Sequence, residues 1–208
     1  MTAVNTTVAP PAPTQRRAVP VNPLAPKQTT RATEQVPIRS TSDAVARLAQ
    51  SPTGAWLIDQ LRATGKPPKI EIVPDSQMGP NENGHYNRET NTVALKRSIV
   101  EQYPNSAIVT LGHELFHGLD LLTGVRTSIV RDHDQTTAKL IIESRAYAFA
   151  SRVQHELGYE PTGPVAQAAH DGTSPDQAYR NAWEALKVRD DIASDAPVVY
   201  APNRTTPY

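Results

Sequence analysis

The chain has 208 residues, enough for one domain with a real core, and balances 21 basic against 21 acidic residues, so no general attraction to nucleic acid or an anionic membrane is expected. It has no cysteine, which removes disulfides, thiolate nucleophiles and cysteine metal sites and leaves histidine and carboxylate as the metal ligands on offer. No apolar run reaches the length of about 18 residues that a membrane-spanning helix requires, and the N-terminus lacks the basic-then-apolar order of a secretory signal peptide, so Sec-type export is not indicated.

Residues 1–40 differ in kind from the rest. Seven of the 19 prolines fall here, and five basic residues (Arg16, Arg17, Lys27, Arg31 and Arg39) face a single acid, Glu34. Such a stretch buries too little apolar surface to offset its ordering entropy, so it is expected to be disordered or polyproline-like. It reads either as a flexible tail or as a secretion address recognised unfolded. The folded domain is expected over residues 41–193, with 194–208 as a loose tail.

Ser42-Asp43 reads as the cap of a first helix, and Gly54 to Ala63 as a second carrying Trp56, Leu57, Ile58 and Leu61. Lys69 to Val73 alternates as a strand, and Pro74 to Gly84 is turn-rich. Gly84 to Asn87 and Asn91 to Leu95 then predict two strands joined by a turn at Arg88-Glu89-Thr90. Asn91, Thr92, Val93, Ala94 and Leu95 are the candidate edge that would pair with an extended substrate. A hairpin with only a packing role fits the same residues. His85 and Tyr86 either reach such a cleft or are simply exposed.

A third helix is predicted from about Ser106 to Leu122, capped by Asn105 or Ser106 and stopped by Gly124. Ile108, Leu111, Leu115, Leu119 and Leu122 form its apolar stripe, and Val109, Phe116 and Leu121 fill much of the rest, so it is expected to be buried nearly all round. On the face opposite the stripe stand His113 and His117, with Glu114 between them in sequence, in the pattern H-E-x-x-H. Histidines four apart lie one turn apart on one face, so both imidazoles can reach one ion. The glutamate after the first histidine is the usual general base of a zinc hydrolase.

A catalytic zinc needs a third protein ligand and one open position. Asp120 and Thr123 stand where the metzincin continuation requires Gly and His, so that pattern is absent. Asp134 to Leu157 predicts another long helix, ended by Gly158, with an apolar arc of Ala138, Ile141, Ile142, Ala146, Phe149, Ala150 and Val153. Glu143, at the edge of that arc, is a candidate third ligand, and His133 in the preceding polar loop is the other. Tyr147, one turn after Glu143, is a candidate oxyanion donor or a packing residue. Asp120 either orients a metal-binding histidine or helps to end its helix. Tyr159 to Thr173 reads as a Gly/Pro-bearing loop. Ser174 to Gln177 is an S-x-x-Q capping box opening a last helix to about Arg189.

Leu111 to Asp120 (LGHELFHGLD), Glu143-Ser144-Arg145-Ala146-Tyr147 and the Gly84-to-Leu95 hairpin together resemble the NleD-like zinc metallopeptidases that Gram-negative bacteria deliver by type III secretion. The resemblance spans roughly Lys69 to Gly158 plus the proline-rich N-terminus. It implies an α+β fold of gluzincin-like, zincin type, with a short antiparallel sheet packed on a buried HExxH helix and a second ligand-bearing helix. His113, His117 and Glu143 would hold one zinc per chain, and Glu114 would act as general base. It also implies a protein substrate, a host signalling protein such as a mitogen-activated protein kinase cut in its activation loop, and action in the host cell cytoplasm. A monomer is expected. The competing class is a helical partner-binding effector with a structural or vestigial metal site, which would need a fourth protein ligand to close it.

Overall fold

A computed structural model describes residues 36–189. Residues 1–35 of the secretion segment expected over 1–40, and the tail expected over 194–208, lie outside the described residues. The first helix, α1 (Thr41–Leu48), is capped by Ser40, whose hydroxyl accepts from the Asp43 N–H at 3.1 Å. The Asp43 carboxylate in turn accepts from the N–H of Arg39, the residue before the cap, at 3.0 Å. The cap therefore lies ahead of the expected Ser42-Asp43, and Asp43 instead reaches back to the chain that enters the helix. Ile38 is only 8% exposed and belongs to the main core, so the expected boundary at residue 41 cuts inside packed chain.

Helix α2 (Pro52–Ala63) is capped by Ser51 and buries Leu57, Ile58 and Leu61. Strands β1 (Lys69–Val73), β2 (Gly84–Asn87) and β3 (Thr92–Lys96) form one sheet in the order β1-β3-β2. β2 pairs antiparallel with β3, Tyr86 opposite Val93, as a hairpin should. β1 pairs parallel on the other side of β3, Ile70 opposite Val93. The sheet is thus mixed, where an antiparallel hairpin was expected, and β3 is its central strand. Thr92, Val93, Ala94 and Leu95 are all buried there. Both ladders of β3 are occupied, so it cannot offer an edge to a substrate. Asn91 is not in the strand: it takes a left-handed conformation (φ 50°) that closes the turn.

Two helices follow the sheet, the short α3 (Arg97–Gln102) and, after one residue, the long α4 (Pro104–Leu122). Ile108, Leu111, Leu115 and Leu119 of α4 are buried as the apolar stripe predicts, each worth about 1.5–3 kcal/mol in burial. After α5 (Val125–Asp132), which buries nothing, α6 (Gln135–Leu157) is capped by Asp134 and ends on left-handed Gly158. Helix α7 (Pro164–His170) occupies the middle of the expected Tyr159-to-Thr173 loop: Pro164 opens it at the first helical position, where proline punctuates loops and helices alike. Helix α8 (Pro175–Lys187) starts on Ser174, whose hydroxyl accepts from the Gln177 N–H. The Gln177 amide donates to Asn181 instead of reaching back, so only half of the capping box forms.

The described chain is a mixed α+β protein of eight α-helices and a three-stranded sheet. No described helix is long and apolar enough to cross a membrane. The main core joins α1, α2, the sheet, α3, α4 and part of α6. A second, smaller core of Leu140, Val165, Ala169, Ala182 and Leu186 joins α6 to α7 and α8.

One pair of hydrogen bonds to a carboxylate ties the start of α2 to the end of α6. The Glu156 carboxylate accepts from the Thr53 N–H at 2.8 Å, the Thr53 hydroxyl at 2.7 Å and Arg152 at 2.8 Å. Burial alone would raise its carboxyl, but these hydrogen bonds outweigh burial and hold it below its ordinary 4.5. A carboxyl depressed in the folded state stabilises the fold above its unfolded value and loses that contribution as the pH falls through the folded value. Glu156→Gln is therefore expected to cost about 1–2 kcal/mol at pH 7. In urea melts this difference should shrink as the pH falls below 4.5, where the wild type becomes protonated too.

Candidate metal centre

Helix α4 presents His113 and His117 one turn apart towards α6, which presents Glu143. The two histidine Nε2 atoms are 3.1 Å apart. The Glu143 carboxylate oxygens lie 3.4 Å from the His113 Nε2 and 3.5 Å from that of His117. A tetrahedral ion with bonds of about 2.0–2.1 Å separates its ligand atoms by about 3.3 Å, so these three donors are spaced as such an ion requires. Among the described residues they are the sole group of three or more such side chains whose donor atoms converge. His133 stands exposed at the end of α5, outside the group, which leaves Glu143 as third donor. No fourth protein donor joins them among the described residues, so the geometry is that of an open site and not a closed one.

The donor chemistry fits a metal as well as the spacing does. Burial works against the Glu143 anion, yet the two imidazoles outweigh it and hold its carboxyl well below the usual range. Burial likewise opposes charge on His117, but Glu143 and then Glu114 draw its imidazole above the ordinary value. Both shifts describe one thing: an anionic Glu143 carboxylate and the His117 imidazole stabilising each other's charge. The outer nitrogen of His117, Nδ1, is buried without a hydrogen-bond partner.

Glu114 lies between the donor triad and the sheet, within electrostatic reach of His113, His117 and Glu143. Burial pushes its carboxyl up, opposed by His113 and His117 and reinforced by the Glu143 charge, while the main-chain N–H of Tyr86 on β2 favours the anion. The register explains how Tyr86 reaches it. Lys96 donates its N–H to the Asn83 carbonyl at 2.9 Å, so His85 and Asn87 also make the ladder bonds to β3. Gly84 and Tyr86 occupy the alternate positions, with main-chain groups directed to the free edge of β2. His85 instead lies on the ladder side, beside Glu82 at 3.4 Å.

Tyr147 packs its ring edge-on against His113, with centroids 4.8 Å apart. Burial and then the Glu143 charge push its phenol up to about 12, so it stays an O–H donor at neutral pH, and Arg189 at the end of α8 hydrogen-bonds to it. Asp120 serves neither of its expected roles. It is buried and accepts both arms of the Arg145 guanidinium at 2.9 Å, clamping α4 to α6. Arg145 also lies over Phe116 at 5.5 Å, and Phe116 stacks on Phe149 at 4.7 Å. Of the two residues expected either to reach a cleft or to be exposed, Tyr86 lies on α4 at the site, whereas no role here was expected of Arg145 or Arg189. Arg145 lies in the quoted Glu143-to-Tyr147 stretch, but no periodic pattern links it to a residue 25 positions earlier.

Comparison of the chain with protein-family models, curated proteins and solved structures found no significant match. The site is therefore defined by its own geometry. Asp120→Ala is expected to leave Arg145 with its charge half-buried and unpaired and to lower stability by about 2–3 kcal/mol, read by thermal or urea melts. Adding Arg145→Ala to it should recover part of that loss, because the unpaired charge goes too.

Proposed function

We propose that the chain is a zinc-dependent endopeptidase. The observation that carries this reading is the convergence of His113, His117 and Glu143 into an open three-donor site with Glu114 beside it, under the free edge of a β-strand. When bound, zinc supplies Lewis acidity, acidifying a water molecule and polarising the scissile carbonyl. Glu114 takes the proton from the attacking water and passes it to the leaving amine. Its raised affinity for protons suits a group that must both accept and return one. The Tyr147 O–H, kept protonated, donates towards the oxyanion that develops on the carbonyl.

The substrate lies along β2, not β3. The Gly84 N–H and C=O and the Tyr86 C=O face the open edge, and they offer an extended peptide main-chain bonds that align its scissile bond over Glu114. The resemblance to NleD-like effectors extends the proposal: delivery by type III secretion and cleavage of a host signalling protein, with kinase activation loops as the first candidates, by a monomer.

Purified protein is expected to hold one zinc per chain by elemental analysis, and the His113→Ala/His117→Ala double variant to hold none. Glu114→Gln keeps shape and volume and removes the base. Its zinc content and melting temperature should match the wild type while casein cleavage falls by roughly 10²-fold to 10⁴-fold. Cleavage at the wild-type rate by this variant would remove Glu114 as the base. A protein that binds partners without cutting them would keep its cellular effect in Glu114→Gln, and a comparison of protein termini in cells receiving either form separates the two.

A further inference from the structure

An H-E-x-x-H helix holds its two histidines by spacing, but the glutamate between them is aimed by whatever meets its carboxylate. Here that is the edge strand. The α4 residues Thr110, Glu114 and Gly118 lie one turn apart in a single stripe beneath β2. At one end, a Cβ on Gly84 would meet Thr110 Cγ2 at 2.8 Å; at the other, a Cβ on Gly118 would meet the Tyr86 ring at 3.3 Å and Pro68 at 3.0 Å. Gly118 thus lets the Tyr86 ring lie directly on α4, one turn past Glu114. The strand register turns the Tyr86 N–H outward to the same place. The other end of the ring is fastened as well. Its hydroxyl donates to Asn91 Oδ1 at 2.8 Å, and Asn91 Nδ2 donates to the Lys66 carbonyl at 2.9 Å, joining the β2–β3 turn to the segment between α2 and β1.

Resting on the peptidase reading above, we infer that Tyr86 is a positioning residue for the general base, acting through its own main-chain N–H, which the Tyr86–Asn91 clasp over Gly118 holds against Glu114. One carboxylate oxygen of Glu114 is then fixed by the strand and the other is left to receive the proton of the attacking water. The same strand that aligns the substrate also aligns the base, so both are set by one rigid element. Tyr86 needs no contact with substrate through its side chain.

The test uses the full chain and has two arms. In amide hydrogen exchange followed by NMR, the wild-type residue-86 amide should be protected although it lies outside the ladder, more so than that of Gly84 on the same edge. Glu114→Ala should abolish that protection. Tyr86→Phe, which keeps the ring on Gly118, and Asn91→Gly, which tolerates the left-handed turn, should each reduce it several-fold. The second arm is casein cleavage: both variants should lower kcat roughly tenfold with KM within about twofold and zinc content unchanged. Because both break the Tyr86–Asn91 bond, the double variant should be no worse than Asn91→Gly alone. An unprotected amide in the wild type, or protection and kcat unchanged in both variants, overturns the inference. A protected amide in a protein that cleaves no peptide retains the clasp and overturns the peptidase reading instead.

Discussion

The whole site depends on how α4 seats against α6. A helix supplies two histidines to one ion at no cost in chain entropy, but the third donor comes from another helix and must arrive within a fraction of an ångström. Small residues make the approach close: Ala146 and Ala150 are buried on α6. Polar and aromatic contacts then fix the register. The Asp120–Arg145 fork, the Phe116–Phe149 stack and the guanidinium over Phe116 all lie within two turns of the donors. A fork of two parallel hydrogen bonds is directional, so sliding of α6 along α4 breaks it as well as the donor geometry.

Surroundings assign different chemistry to the two carboxylates of the site. Glu143 faces two imidazoles, and their attraction overcomes the cost of burial and keeps it anionic, as a metal ligand must be. Glu114 is buried with the Glu143 charge nearby and gains less from the histidines, so its affinity for a proton rises. Two identical side chains on two helices are thereby given opposite affinities for a proton, which suits one as a ligand and the other as a base in the proposed reading.

The α7–α8 layer supports the site from behind. It covers the part of α6 that the main core leaves exposed, with Leu140, Val165, Ala169, Ala182 and Leu186 forming a core of their own against which Tyr147 packs. That packing sets the Tyr147 ring against His113, and the residue just past α8, Arg189, reaches its hydroxyl. A peripheral helical pair thus takes part in the electrostatics of a centre to which it contributes no metal donor.

By itself the sequence determined what depends on local spacing. His113, Glu114 and His117 are readable because a period of 3.6 residues puts one turn between the histidines, and α6 is readable from Asp134 to Gly158 because both ends carry capping residues of defined geometry. Glu143 stood out by its place on the apolar arc. Short or polar helices left no such trace: α5 buries nothing, and α7 opens on a proline that reads equally as a loop. Tertiary structure alone decided which strand lies at the edge. The β1 pattern says that it is a strand but not that it pairs parallel to β3, and that one pairing closes Thr92 to Leu95 and leaves β2 open. It also decided that Asp120 meets Arg145 and that the Tyr86 N–H meets Glu114, since contacts between elements follow from how their faces dock, and docking leaves no period in the chain.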